Sequence, residues 1–261
     1  MEIYKMQNEI DSLTESFGKL SIASQNIDKI ILIQKHVRGY LYRLKYLPLI
    51  MYVMKRYLRS EKISLSSKNQ DGRVNSSTDE DIVISKLVSR FGDRIKVPKI
   101  RMWYDILVRD YRYGWLPINI KTTTTLTYDN TGNLTMCVYA YTDYDIYIHR
   151  EKTYQNGEMS RILSDKLRKK QYNKKDKRDY YFLVLDKTNP DRIIVNTLKG
   201  LQSITPNINN LPFQVCWSKN RIFKYAQVHK RIREFIQCLQ KMKPSWKETF
   251  ISDIKSIKLE K

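Results

Sequence analysis

Three side chains between residues 100 and 125 are of the types that support phosphodiester hydrolysis. Asp105 supplies a carboxylate, Asn119 a carbonyl oxygen and Lys121 an ammonium group. Carboxylate and carbonyl oxygens are hard ligands that suit Mg²⁺, and a bound metal ion polarises a phosphate and lowers the pKa of a water molecule. A nearby lysine orients the nucleophile or offsets the charge that develops in the transition state. If the three groups converge, they form a candidate nuclease site.

A β-hairpin would bring these groups together. Residues 100–108 are rich in β-branched and aromatic side chains, residues 109–114 supply a turn, and residues 115–125 resume the strand pattern. Alternation along the second strand directs Asn119 and Lys121 to one face and the neighbouring isoleucines to the other, toward a core. Antiparallel pairing then sets the aspartate of the first strand beside them. An ordinary surface ion pair across a hairpin is the alternative interpretation.

The run Ile118-Asn119-Ile120-Lys121-Thr122-Thr123, with Asp105 on the preceding strand, resembles the catalytic hairpin of the PD-(D/E)XK superfamily. Within that superfamily it is most similar to the EcoRV-type, type II restriction endonucleases. The resemblance implies that Asp105 is a metal-binding aspartate and that Lys121 is the catalytic lysine. It also implies Mg²⁺-dependent cleavage of double-stranded DNA at a specific short site, by a homodimer that cuts both strands of a palindrome.

The chain departs from the family pattern at two positions. Asn119 stands where the family usually has a second acid, and Tyr104 stands where a proline is usual. A neutral amide oxygen ligates a hard cation without contributing charge, so metal affinity should fall unless another carboxylate helps.

Glu80 is the candidate for that additional carboxylate. Thr78 is a predicted N-cap, and three acids at positions 79–81 follow in the first turn of a helix expected to run to about Phe91. Glu80 lies four residues before Ile84, on the apolar stripe of that helix. In this superfamily the helix before the hairpin often contributes an acid near the metal, so the resemblance implies a metal-binding and catalytic role for Glu80. Stabilisation of the helix dipole is the alternative role of these acids.

Residues 1–60 are predicted to form a helical arm, and the polar residues 61–77 a linker. Within the arm, Ile33-Gln34, Arg38-Gly39 and Arg43 match the IQ pattern, a basic amphipathic helix that calmodulin-like proteins bind. A helix that packs on the protein or faces DNA is the alternative.

Beyond the hairpin, alternating apolar residues in 133–142 predict a third strand, 159–170 a helix, and 180–185 and 193–197 two further strands. This order matches the superfamily core. The expected fold class is therefore α+β, with a central mixed sheet flanked by helices in a restriction-endonuclease-like domain at residues 78–243. Residues 222–239 should form a basic helix, and residues 244–261 a helical tail.

A net charge of +21 favours a polyanionic partner, because basic side chains that neutralise phosphates release counterions. Nonspecific nucleic-acid binding and an acidic protein partner are the alternatives. Eight Lys or Arg residues accompany one acid between positions 166 and 178, although a solvated loop would have the same composition. Amide side chains around residue 210 can hydrogen-bond adenine but also form turns. The predicted DNA contacts are Lys166, Arg168, Lys169, Lys170, Asn207, Asn209, Asn210 and Gln214.

Several other classes are disfavoured. No run approaches the roughly 18 apolar residues of a membrane span, and no secretory segment is present, so an intracellular, soluble protein is expected. Three widely spaced cysteines support neither a disulfide framework nor a structural zinc site. The richness in Lys, Ile, Asn and Tyr suits an AT-rich genome, such as that of some viruses. Two alternative functions remain: a DNA-binding protein whose nuclease site has decayed at Asn119, and a protein whose IQ-like helix recruits a calmodulin-like partner.

Overall fold

The computed structural model describes residues 46–66, 72–150, 152–173, 178–207, 212–242 and 248–259, with five separate positions between residues 31 and 38. Most of the predicted arm and part of the basic cluster therefore lie outside the described residues. The described helices are α1 (Leu49–Glu61), α2 (Gly72–Phe91), α3 (Leu134–Tyr141), α4 (Asn156–Arg168), α5 (Val228–Gln240) and α6 (Glu248–Lys255). The strands are β1 (Ile95–Lys96), β2 (Ile106–Asp110), β3 (Gly114–Thr123), β4 (Tyr128–Asp129), β5 (Tyr181–Asp186), β6 (Asn189–Thr197), β7 (Thr205–Pro206) and β8 (Phe213–Cys216).

Five of the strands form a mixed sheet in the order β1-β2-β3-β5-β6. β3 and β5 run parallel, whereas the other neighbouring pairs are antiparallel. A parallel pair needs a crossover connection, and α3 and α4 supply it here. A smaller sheet has the order β4-β8-β7. The α+β class and the mixed sheet flanked by helices, both predicted from the sequence, are confirmed.

Helices α1 and α2 cover one face of the sheet. α1 begins after Pro48, and its side chains at positions 50, 51, 54 and 58 are almost fully buried. They pack in one cluster with residues of β2, β3, β5 and β6, including Ile118 and Ile120. Four such side chains contribute on the order of 6 kcal/mol or more on burial, comparable with the whole stability of a domain. α1 is therefore part of the sheet's core, although it falls within the predicted arm.

Helices α3 to α6 cover the opposite face. Their apolar side chains form a second cluster with Leu107, Phe182 and Trp217, and this cluster includes Phe250, Ile251 and Ile254 of α6. α6 therefore packs into the core although it falls within the predicted tail. Residues 106–108, 181–185 and 193–195 supply side chains to both clusters, which explains the nearly continuous apolar character of these strands.

The prediction of a strand at 133–142 is wrong, since residues 134–141 form helix α3. Asn133 caps the helix by accepting a hydrogen bond from the backbone N–H of Met136 at 2.7 Å. Every residue of α3 is buried. Alternation of apolar residues had suggested a strand, but the intervening residues are also buried, so the alternation had no bearing on which face lies inward.

Helix α2 also differs from its prediction, because it begins at Gly72 rather than at Thr78. Asp79, Glu80 and Asp81 are therefore in the helix interior, and stabilisation of the helix N-terminus does not account for them. The end is close to the predicted one: α2 stops at Phe91, and Gly92 follows with a φ of +54°, a conformation that glycine adopts without steric cost.

Candidate active site

The candidate site lies where β2 separates from β3. The strands pair from Ile106–Ile118 to Asp110–Gly114, so the edge of β3 beyond Ile118 has no β2 neighbour. Asp105 extends the pairing by one bond, in which its N–H donates to the carbonyl oxygen of Ile118 at 2.9 Å. Its carboxylate then accepts from the N–H of Ile120 at 2.7 Å. The predicted proximity of Asp105 to Asn119 and Lys121 follows from this geometry.

Glu80 reaches the same part of β3, beyond its pairing with β2, from helix α2. Its carboxylate accepts a hydrogen bond from the N–H of Thr122, two residues beyond the N–H that Asp105 binds. It also forms an ion pair with Lys121, with 3.2 Å between Oε1 and Nζ. The structure therefore places Glu80 beside the hairpin, next to Lys121.

Lys121 has a further acidic neighbour, Asp129. This residue lies on β4, close enough to Lys121 for their charges to interact. Its carboxylate accepts hydrogen bonds from Trp217 Nε1 at 2.7 Å and from Thr123 Oγ1 at 3.1 Å. Pairing of β4 with β8 holds Asp129 in place.

All three carboxyl groups around Lys121 have pKa values above their ordinary values. Burial is the main cause for Glu80, Asp105 and Asp129, and the positive charge of Lys121 offsets it only in part. For Glu80 the neighbouring charge of Asp105 raises the pKa further. Burial alone would lower the pKa of Lys121, but the charges of its acidic neighbours raise it above the ordinary value. Lys121 is therefore an ammonium ion at neutral pH.

Asn119 lies on the same face of β3 as Lys121, opposite Phe182 of β5. Its side chain hydrogen-bonds to the hydroxyl group of Tyr180, and that hydroxyl donates to the carbonyl oxygen of Trp103 at 2.8 Å. Asn119 Oδ1 is buried and has no hydrogen-bond partner among the residues that the structure describes. Buried carbonyl oxygens in proteins are normally paired, so this one is available to a donor or a cation.

The charges and donors suit a hard divalent cation. Three carboxylates surround one ammonium group, so the fully ionised cluster carries two negative charges. Its free acceptor, Asn119 Oδ1, is a hard oxygen ligand as well. Within the described ranges, however, no group of three or more His, Cys, Asp or Glu side chains has the arrangement of a metal site. Asp105, Glu80 and the amide oxygen of Asn119 are the residues that could hold the ion, and water would complete its coordination.

The predicted DNA-contact cations are mostly engaged within the chain. The structure pairs Lys166 with Asp143, Arg168 with Asp253, and Lys169 with Asp165, all at 2.7–2.9 Å. Partly exposed pairs of this kind contribute little to stability. Lys170 lines a cavity of about 250 Å³ together with Arg168 and Lys258.

The predicted base-reading amides are not brought together as a set. Asn207 donates to the side chain of Asn130, which ties its loop to the one after β4. Gln214 lies on β8, paired with Thr205. Asn209 and Asn210 are outside the described residues.

Sequence interpretation missed Asp129, Tyr180 and Trp217. Asp129 begins the sequence Asp-Asn-Thr-Gly, which indicates a turn rather than an acid directed at Lys121. Tyr180 and Trp217 are apolar in pattern, and their fully buried side chains contribute only a hydroxyl and an indole N–H to polar contacts. Gly132 in the same loop permits a close approach of two backbone segments, because a Cβ there would lie 2.7 Å from the carbonyl oxygen of Phe213. A glycine in the sequence does not indicate that Asp129 faces Lys121.

Comparison with known proteins gives one family match, which confirms the IQ pattern. The family model described as IQ calmodulin-binding motif matches residues 27–47. No curated protein and no solved structure matches the chain. In the described part of the chain, every helix is too short or too polar to cross a membrane.

Proposed function

We propose that this chain is a Mg²⁺-dependent endonuclease that cleaves double-stranded DNA at a specific short site. The observation that carries the proposal is the arrangement at the open edge of β3. Asp105 and Glu80 come from different elements, bind N–H groups two residues apart, and place their carboxylates beside Lys121. Acids with raised pKa values next to a charged lysine are typical of functional sites.

The element order supports the same proposal. The β2–β3 hairpin carries Asp105, Asn119 and Lys121, helix α2 precedes it and carries Glu80, and β5 returns parallel to β3. A mixed sheet flanked by helices is the core that the resemblance of the hairpin implies. The net charge of +21 adds the polyanionic partner that a nuclease requires.

The residues of the site would have different roles in the reaction. Asp105, Glu80 and Asn119 Oδ1 would hold Mg²⁺, which when bound supplies a polarised phosphate and a more acidic water molecule. Lys121 is protonated, so it acts as a hydrogen-bond donor and a positive charge rather than as a general base. In this role it orients the attacking water and offsets the charge that develops on the phosphate. Two copies of the chain would cut the two strands of a palindromic site.

Incubation of the purified full chain with plasmid DNA and Mg²⁺ tests this proposal. Discrete fragments that appear only with the metal ion are the expected result. DNA binding without cleavage at any Mg²⁺ concentration would instead identify a DNA-binding protein with a decayed site. Absence of both binding and cleavage would overturn the proposal.

Binding of a calmodulin-like protein is a second candidate function. It rests on the match at residues 27–47 and on Ile31 and Ile33, whose side chains are 55% and 46% exposed. Exposed apolar side chains on a basic helix are what a groove-binding helix presents. Titration of the full chain with calmodulin tests it. Ile33→Asp and Arg38→Glu should each abolish the complex. Arg233→Glu changes the charge by the same amount as Arg38→Glu, at an exposed position of α5, and should preserve it.

A further inference from the structure

The hydroxyl group of Tyr180 has its only hydrogen committed. It donates to the carbonyl oxygen of Trp103 at 2.8 Å, and Asn133 Nδ2 donates to the same carbonyl at 3.2 Å. A backbone carbonyl has no hydrogen to give, so the direction of the Tyr180 bond is fixed. Toward any other partner, the Tyr180 hydroxyl oxygen therefore acts only as a hydrogen-bond acceptor.

The direction of this bond determines the orientation of the Asn119 amide. Asn119 hydrogen-bonds to the Tyr180 hydroxyl, which can only accept, so Asn119 must present its NH₂ group to Tyr180. The carbonyl end of the amide then points away from Tyr180. The unpartnered, buried Asn119 Oδ1 is the result of this orientation.

We infer that Tyr180 is a positioning residue, which holds the Asn119 amide so that its carbonyl oxygen serves as a neutral ligand for the divalent cation. The inference rests on the proposed function for the identity of the ion. Asn119 is then not a decayed acid. The surroundings of this position require a hydrogen donor on one side and an oxygen on the other, and asparagine supplies both whereas aspartate supplies only the oxygen.

The experiment follows thermal unfolding of the full chain during titration with Mg²⁺ alone, at constant ionic strength. An ion that binds the folded state raises the unfolding temperature, and the concentration that gives half of the shift reports its affinity. Each variant is compared with its own metal-free state, so a general loss of stability does not enter the comparison. No DNA or cleavage is involved.

Tyr180→Phe removes the hydroxyl that orients the amide and leaves the ligand in place. We expect it to raise the half-maximal Mg²⁺ concentration by about 10-fold, as is typical when an outer-sphere partner is lost. Tyr141→Phe is the matched control, because Tyr141 is buried and its hydroxyl also donates to a backbone carbonyl, that of Leu198. The control should leave the Mg²⁺ midpoint unchanged.

Asn119→Asp tests the amide orientation without metal. The new carboxylate has no hydrogen for Tyr180, so the metal-free unfolding temperature should fall. Adding Tyr180→Phe to the Asn119→Asp chain should restore most of the lost unfolding temperature, because the phenylalanine has no hydroxyl oxygen to repel the new carboxylate. Additive effects of the two changes would contradict the predicted contact.

The outcomes separate the inference from the proposed function. If Mg²⁺ stabilises the wild-type chain and Tyr180→Phe responds at the same concentration as wild type, the positioning role is overturned and the metal site remains. If Mg²⁺ gives the wild-type chain no stabilisation, the metal site and the proposed nuclease activity fail, and with them the ligand role of Asn119.

Discussion

Helix α2 contributes two adjacent acids to two ion pairs that differ in nearly every physical respect. Asp79 pairs with Lys187 at 2.7 Å, and the exposed fractions of the two side chains are only 2% and 9%. Glu80 pairs with Lys121 at 3.2 Å, with exposed fractions of 19% and 25%. Asp79 also accepts hydrogen bonds from the N–H and hydroxyl of Ser66 at 2.9 and 2.7 Å.

The two acids also have opposite pKa shifts. Burial would raise the pKa of Asp79, but its bonds to Lys187 and Ser66 outweigh burial and lower the pKa below the ordinary value. Burial raises the pKa of Glu80. The positive charge of Lys121, which also interacts with Asp105 and Asp129, does not bring this pKa back to its ordinary value. A carboxylate whose partners fully compensate its burial stabilises the fold. A carboxylate with other negative charges near it tends to bind a proton or a cation. Glu80 is therefore the acid of this pair that we assign to the candidate active site.

The largest expected difference is in stability. Asp79→Asn leaves the ammonium group of Lys187 buried without a counter-charge and should cost about 3 kcal/mol or more of unfolding free energy. Glu80→Gln, the matched amide substitution one residue away, should cost little, because Lys121 keeps Asp105 and Asp129. Denaturant unfolding of both variants measures this. Equal losses would show that the two pairs have the same structural role.

The next largest effect concerns cleavage. Lys121→Ala should lower the rate of DNA cleavage by about 100-fold or more, while DNA affinity stays within a few fold, because one charge among many contributes little to phosphate attraction. Cleavage and binding assays on the same preparation compare the two. Equal losses of binding and cleavage would assign Lys121 to DNA attraction instead.

The pH dependence of stability should have opposite signs at the two acids. The pKa of Glu80 is raised in the folded state, so its favourable contribution is complete below its ordinary pKa of 4.5 and is lost as pH rises through the folded value. The pKa of Asp79 is lowered, so its contribution is present above 3.8 and is lost as pH falls through the folded value. Glu80→Gln should therefore become more favourable relative to wild type as the pH rises above the ordinary Glu80 pKa of 4.5 and through its raised folded-state value.

The check is the unfolding free energy of wild type, Glu80→Gln and Asp79→Asn as a function of pH. The deficit of Asp79→Asn should shrink in acid. A Glu80→Gln difference that does not change with pH would contradict the raised pKa.

The smallest effect is expected at Asp129. Asp129→Asn keeps an oxygen for Trp217 Nε1 but removes one negative charge near Lys121. Cleavage should change by only a few fold, with a shift of its pH profile toward lower pH as the pKa of Lys121 falls. An unchanged profile would remove Asp129 from the electrostatics of the site.

The sequence predicted the parts of this comparison that depend on local pattern. The alternation around Asn119 and the apolar runs at 181–185 and 193–195 correctly indicated the hairpin and two strands. The first strand of the hairpin is shorter than predicted, because β2 begins at Ile106 rather than at residue 100 and runs on to Asp110, within the predicted turn. The sequence also indicated that Glu80 faces inward on α2. Spacing alone was sufficient for these features because each depends on neighbours within a few residues.

The rest depends on contacts between distant residues. In the sequence, Asp79 is a carboxylate like the adjacent Glu80 and Asp81. Its structural role depends on contacts with Lys187 and Ser66, which only folding brings close to it. Asp129 is held at the site by its hydrogen bond from Trp217, and Tyr180 by its hydrogen bond to Trp103. No sequence spacing relates Asp129 or Tyr180 to Lys121. Helix α3 was predicted as a strand because its burial on all sides removes the periodicity that distinguishes the two structures.

The most direct test of the central claim is a calorimetric titration of Mg²⁺ into wild type and Asp105→Asn at constant ionic strength. Asp105 is bound to the β3 edge through Ile120, and asparagine retains an oxygen for that N–H. We predict one saturable Mg²⁺ site per chain in wild type that is lost or severely weakened in Asp105→Asn. Equal binding isotherms for the two proteins would show that the carboxylates at the edge of β3 do not hold the ion.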